Sequence, residues 1–141
     1  MATSDDLRAL ALALPEAHER TSYGSPAFFV RRALFARMLD GRGLTDPGDG
    51  SLDPSVAWPA VAIRTASVAE RELLIASQPR SFYATPHYDG YAMVLVRLAT
   101  VGIDELRELL IEAWLARAPV RLRAQHEAAL LRAASTGPDA G

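Results

Sequence analysis

The sequence predicts a single α+β domain, in which an antiparallel sheet carries its helices on one face. Apolar residues repeat with a helical period near the N-terminus and again after residue 103, and short strand-like segments dominate the region between them. The predicted order is α-β-β-β-α-β-β-α, and neither an internal repeat nor a linker interrupts it. We therefore expect one domain over residues 1–134, followed by a frayed tail over residues 135–141.

Length and composition exclude several classes of protein. A chain of 141 residues is in the usual size range of one domain. It has no Cys, which excludes disulfides, thiolate metal ligands and a cysteine nucleophile. No apolar segment approaches the roughly 18 residues of a membrane span, and the acidic N-terminus lacks the basic start of a signal peptide. We therefore expect a cytoplasmic protein without a membrane partner.

The first helix is predicted over residues 3–14. Thr3 and Asp6 form a capping-box pattern, and the next residues repeat an apolar stripe at i, i+3, i+4 and i+7. Pro15 removes a backbone donor and ends the helix. We interpret residues 16–20 as a polar connection.

A β-hairpin is predicted next, with strands over residues 27–30 and 34–38 and a tip of Arg31, Arg32 and Ala33. We interpret residues 23–26 (YGSP) as a bulge or the start of an edge strand, because proline cannot donate to a central ladder. Residues 40–57 are rich in Gly, Pro and Asp, which predicts a long, mobile surface loop.

The second half alternates strands and helices. Strands are predicted over residues 58–65, 82–84 and 91–99, with a turn over 85–90. Ser67 and Glu70 form a second capping box that opens a helix ending near Ser77. Asp104 is predicted to cap a third helix that ends before Pro119, and residues 120–134 predict a further short helix. The inward face of the third helix is predicted to hold Leu106, Leu110, Ala113 and Trp114.

The charges are unevenly distributed along the chain. All 15 basic residues are Arg, and the net charge is −2, so the field of the whole protein would not attract DNA. Two segments are nevertheless basic, since residues 31–42 and residues 117–132 each contain four Arg and one acidic residue. The loop over residues 43–57, which follows the first basic segment, is acidic because it contains Asp46, Asp49 and Asp53.

Three separated motifs resemble the MmcQ/YjbR-like family. The first is TSYGSPAF at residues 21–28 with LFAR at 34–37, and the second is TPHYDGY at 85–91 with VLVRL at 94–98. The third is the helix over residues 104–119, which ends in AWLARAP. The similarity covers residues 4–123. The chain departs from the family pattern in a longer, more acidic loop after Met38 and in Ile63-Arg64-Thr65, where many relatives carry Lys-Val.

The resemblance implies a two-layer α-β sandwich with the CyaY-like (frataxin-like) fold. It also implies a predicted DNA-binding function with a double-wing arrangement, in which the wings are β-hairpins. Arg suits such a function because its planar guanidinium can bind a phosphate through two hydrogen bonds. We therefore expect weak, non-specific binding of double-stranded DNA through Arg31, Arg32, Arg37, Arg121 and Arg123.

The alternative function requires that aromatic side chains near the loop ends converge in the fold. They would then form a concave, mostly apolar site in a module that binds a small molecule or a protein. The simpler interpretation is that these rings pack in the core and at the edges, and that His87 fixes its turn. The residues predicted to line such a site are Tyr23, Phe28, His87, Tyr88 and Tyr91.

The sequence carries no catalytic signature. There is no GxSxG nucleophile motif and no HxxxH or HExxH pair, and His18, His87 and His126 are far apart. We therefore expect neither enzymatic activity nor a metal site, and no cofactor.

Overall fold

A computed structural model of the chain describes residues 1–40 and 56–136. Within them, four helices combine with a six-stranded sheet, which confirms the predicted α+β class. The helices are α1 (Ser4–Leu12), α2 (Val68–Ser77), α3 (Ile103–Arg117) and α4 (Val120–Thr136). The strands are β1 (Ala17–Ser22), β2 (Ser25–Val30), β3 (Ala33–Leu39), β4 (Ala60–Arg64), β5 (Phe82–Tyr83) and β6 (Met93–Arg97).

The sheet is antiparallel with the strand order β1-β2-β3-β4-β6-β5. The main core lies between one face of this sheet and the helices, with Trp114 of α3 fully buried in it. Its indole nitrogen donates to the carbonyl of Pro15 over 2.9 Å, which ties α3 to the connection between α1 and β1. The predicted packing of helices on one face is thus present. Strand residues that face the helices include Phe28, Val30, Met38, Val61, Ile63, Val94 and Val96.

The predicted polar connection over residues 16–20 is wrong. Residues from Ala17 onward form β1, an edge strand that pairs only with β2 in the described sheet. Charged side chains are common on edge strands because they discourage pairing with another chain. Glu19 of this strand accepts a hydrogen bond from Arg8 of α1 over 2.8 Å. The polar composition of residues 16–20 therefore indicates an edge strand and not a loop.

The segment around Tyr23 is also different from the prediction. Tyr23 and Gly24 both have positive φ, 52° and 80°, and form a two-residue turn between β1 and β2. Positive φ at both central positions is the geometry that matches the twist of a hairpin. Pro26 lies inside β2, where it pairs with Thr21 of β1 but lies before the first residue that pairs with β3. The bulge is further along, between Phe28 and Phe29.

Helix boundaries differ from the predictions by a few residues. The Thr3–Asp6 capping box is present, but α1 ends at Leu12. Gly102 occupies the N-cap position of α3, whereas Asp104 lies in its first turn and pairs with Arg107. α4 continues to Thr136, beyond the predicted end at residue 134. The remainder of the predicted tail and most of the predicted loop, residues 41–55, lie outside the described residues.

Candidate nucleic-acid interface

The β2–β3 hairpin presents two arginines at its tip. Val30 pairs with Ala33, so Arg31 and Arg32 alone form the connection, one residue shorter than predicted. Arg31 has a φ of 56°, a conformation that a tight hairpin turn requires and that few non-glycine residues adopt. Both side chains are exposed. The turn therefore places two arginine side chains at the surface on a short, constrained connection.

The hairpin tip meets the end of α3. Together they line a cleft of about 650 Å³, which we call the basic cleft and which consists of Val30, Arg31, Arg32, Ala33, Arg117 and Pro119. Arg117 is half-buried, and its Nε donates to the carbonyl of Leu34 over 3.2 Å. This bond fixes the C-terminal end of α3 against β3. Two segments that are some 80 residues apart in sequence are thereby brought together, as a shared phosphate-binding surface would require.

The charge in the basic cleft is only partly compensated. Arg31 donates from Nε to Glu16 over 2.7 Å, with both side chains about half exposed, at 56% and 48%. Arg31 Nη2 also donates to Glu16 Oε2 over 3.3 Å, so the pair is bidentate. Because both side chains are well exposed, the pair contributes only about 1 kcal/mol, and a phosphate could displace the carboxylate. Among the described lining residues there is no carboxylate. α3 ends at Arg117 and α4 begins at Val120, so the opposite dipole ends of the two helices offset each other here, and the positive potential comes from the arginines.

The two predicted arginines of α4 point in different directions. Leu122 between them is buried in the core, so Arg121 and Arg123 flank it on either side of the helix. Arg123 pairs with Glu127 over 3.2 Å. Arg121 makes no ion pair with any described residue and lies one turn from the basic cleft. Arg121 is therefore the more available of the two for an external anion.

Arg37 lies apart from the other predicted DNA contacts. It is in the middle of β3, on the sheet face opposite the helices, where its guanidinium lies 5.6 Å from the centre of the Tyr23 ring. The alternation of side chains along β3 separates it from the hairpin tip. The structure thus brings Arg31 and Arg32 together with Arg117, which the sequence analysis did not select, and leaves Arg37 outside the cleft.

The predicted aromatic site is not gathered into one place. Tyr23, 95% exposed, lies in the β1–β2 turn, whereas Tyr91, 61% exposed, precedes β6 at the opposite end of the sheet. Phe28 is fully buried on the helix side. Tyr88 belongs to a small cluster on the other face, with the exposed His87 edge-on to it at 5.0 Å. These five residues therefore do not line a common cavity.

A buried arginine explains the dense turn over residues 85–91. Arg71 of α2 is only 4% exposed, and its Nη1 donates to the carbonyls of Tyr88 and Tyr91 over 2.8 and 2.9 Å. Its Nη2 pairs with Glu72 over 2.7 Å. The role of Arg71 is to hold the turn, and no local sequence pattern distinguishes it from a surface arginine of the same helix.

Across residues 1–40 and 56–136, no three His, Asp or Glu side chains are arranged to hold a metal ion. No helix in the same part of the chain is both long and apolar enough to cross a membrane.

Comparison with known proteins confirms the family resemblance. The YjbR family model matches residues 12–116. Two uncharacterized proteins, Rv2570 of Mycobacterium tuberculosis and Mb2600 of Mycobacterium bovis, are each 38% identical over 127 residues, spanning 86% of this chain and 93% of the relative. The crystal structure of Deinococcus radiodurans protein DR2400, with family-model domain DUF419, aligns with a TM-score of 0.59. At 24% identity, covering 82% of this chain and 78% of that one, it shows a shared fold.

Proposed function

The chain belongs to the YjbR family, and on this fold we propose that it is a non-enzymatic protein that binds double-stranded DNA through the basic cleft. The observation that supports the proposal most strongly is the meeting of Arg31 and Arg32 with Arg117 at the end of α3. Positive groups from two distant parts of the chain share one concave surface there. The β2–β3 hairpin would act as the wing that follows the DNA backbone.

The composition of the cleft favours contact with phosphates over recognition of bases. Its polar side chains are all arginines, and no Asn or Gln is present among its described lining residues to read an adenine. With Arg121, about four arginines are available, and each would neutralise a phosphate and release counterions. Such binding is non-specific, with a dissociation constant of about 1–100 µM at moderate salt.

The test is a titration of a fluorescein-labelled 20-base-pair duplex at 50 mM salt, followed by fluorescence anisotropy. We expect Arg31→Ala/Arg32→Ala to weaken binding by roughly tenfold or more, because two phosphate contacts are lost. The matched control is Arg80→Ala/Arg107→Ala, which removes the same charge from positions outside the cleft. Equal loss in both variants would reduce the effect to net charge, and no binding by the wild type would refute the proposal.

A further inference from the structure

A second concave surface lies on the other side of α3, between α2 and α3. It is a groove of about 560 Å³ whose described lining residues include three leucines and four glutamates, and we call it the acidic groove. The leucines are Leu73, Leu74 and Leu109, and the glutamates are Glu70, Glu105, Glu108 and Glu112. None of its described lining residues also lines the basic cleft.

The two helices contribute matching stripes to this groove. On α2 the lining residues are Glu70, Leu73, Leu74 and Ser77, and on α3 they are Glu105, Glu108, Leu109 and Glu112. Both sets have the spacing i, i+3, i+4 and i+7, which places each set along one face of its helix. Two such faces side by side form the kind of trough in which a third helix packs.

The groove exposes apolar surface to solvent, chiefly at Leu73. Leu73 is 69% exposed although it lies in the middle of α2, and Leu74 beside it is only partly buried. Leu74 and Ile75 pack against the core, so Leu73 lies on the side of α2 that faces away from it. Its exposure between two helical faces indicates that a partner could bury it.

The charges of the groove favour a basic partner. Four carboxylates line it against one arginine, Arg64. Burial and the neighbouring Glu70 and Glu108 raise the pKa of Glu112, although the Arg123 guanidinium partly offsets this. The repulsion among these carboxylates would be relieved by positive side chains on a docked helix. Glu105 already accepts a hydrogen bond from Gln78 of the same chain, so the remaining three are the more available.

We propose that the acidic groove is a docking site for an amphipathic helix of a partner protein that carries Leu-type residues on one stripe and Arg or Lys on both sides of it. The apolar stripe would cover the three leucines, and the basic residues would reach the glutamates at the rim. Each lining stripe spans seven residue steps, about 10 Å at 1.5 Å per residue, so two to three turns of the partner would make contact. The interface is small, and the binding is accordingly weak.

The probe is a pair of 18-residue synthetic peptides with identical composition. In one, Leu repeats at i, i+3, i+4 and i+7 with Arg on both sides, and in the other the same residues are scrambled so that no apolar stripe forms. Each is titrated into the ¹⁵N-labelled full chain. We expect the amphipathic peptide to shift the amide resonances of Leu73, Leu74 and Leu109, with a dissociation constant of about 10–100 µM. The scrambled peptide should bind at least about tenfold more weakly.

Three variants of the chain test whether the peptide binds in the acidic groove. Leu73→Ser should weaken the amphipathic peptide about tenfold, because the side chain that loses the most exposed apolar area is removed. Glu108→Gln should weaken it about two- to threefold. The control Leu131→Ser removes a leucine that is also exposed but lies on α4, and it should leave binding unchanged.

Three results would overturn the proposal. They are equal binding of the two peptides, an unchanged affinity in Leu73→Ser, and dimerisation of the wild-type chain alone that Leu73→Ser abolishes. The last would identify a second copy of this chain as the occupant, and sedimentation of the protein without peptide detects it. Because Leu73→Ser and Glu108→Gln both change residues outside the basic cleft, these outcomes are independent of DNA binding.

Discussion

The basic cleft and the acidic groove lie at different parts of the same helix. α3 carries Asp104 and Glu105 in its first turn and Arg117 in its last. This order matches the helix dipole, which favours negative groups at the N-terminus and positive groups at the C-terminus. A net charge of −2 therefore conceals two local surfaces of opposite sign. For such a chain, the position of each charge on the fold is more informative about binding partners than the total charge.

Charge reversal on the two surfaces should produce the largest difference in DNA affinity between them. Arg31→Glu/Arg32→Glu changes the tip of the hairpin by four charges, and we expect DNA affinity to fall by more than about a hundredfold at 50 mM salt. The mirror variant, Glu108→Arg/Glu112→Arg, changes the acidic groove by the same amount in the opposite direction. We expect it to keep DNA binding within about threefold of the wild type or to strengthen it. Anisotropy titrations compare the two, and similar effects from both would mean that the surfaces are not distinct.

Salt dependence should show how many arginines of the cleft contact phosphates. With about four contacts, the logarithm of the binding constant should fall against the logarithm of salt concentration with a slope of about −4. Arg31→Ala/Arg32→Ala should reduce the slope to about −2. Titrations between about 25 and 200 mM salt measure both slopes. An unchanged slope in the variant would place the contacts elsewhere.

A smaller effect is expected from the arginine that lies outside the cleft. Arg37→Ala should change DNA affinity by less than about twofold, because its side chain lies beside Tyr23 on the opposite face of the sheet. Its far-UV circular dichroism spectrum should match the wild type, which checks that the half-buried position tolerates alanine. A loss as large as that of Arg32→Ala would show that DNA contacts the other face.

The smallest expected effect is on the stability of the folded chain, and it comes from Glu112 in the acidic groove. The pKa of Glu112 is raised in the fold, chiefly by burial and then by Glu70 and Glu108, so the folded chain holds this proton more tightly than the unfolded chain does. Ionisation therefore costs stability above the raised pKa, and the cost disappears below the ordinary value near 4.5.

Glu112→Gln should accordingly unfold at a slightly higher urea concentration than the wild type at pH 7.5. At pH 3.5 the two midpoints should coincide, since both side chains are then neutral. Asp89→Asn, a neutralisation of another exposed carboxylate on the surface, serves as the control. A gain at pH 7.5 that persists undiminished at pH 3.5 would assign the effect to packing and not to charge.

Local patterns predicted the helices and most strands well. The capping box at Thr3 and Asp6 and the inward stripe of α3 depend on residues three or four positions apart, and both are present. The edge strand β1 was missed because its charged residues resemble a connection when read alone. Its pairing with β2 depends on the turn at Tyr23 and Gly24, which carries a tyrosine where hairpin turns usually have Asn, Asp or Gly.

The candidate site was predicted only in part, because it depends on tertiary contacts. The basic character of both segments was visible in the sequence, but their meeting depends on the packing of α3 against β3, where Arg117 donates to the carbonyl of Leu34. Arg37 was grouped with Arg31 and Arg32 by proximity in sequence, whereas strand alternation turns it to the other face. The acidic groove was not foreseen, because its four glutamates come from two helices that are separated by a strand pair and a turn.

The burial of Trp114 provides an optical reporter of this arrangement. Its ring is fully buried, and His126 of α4 lies edge-on to it at 6.1 Å. If α4 detaches from α3, water reaches the indole and its emission moves to longer wavelength. Because α4 starts at the basic cleft and packs on this ring, the emission of Trp114 in a Trp58→Phe variant, which removes the second tryptophan, would record in real time whether that end of the molecule stays assembled while a ligand binds.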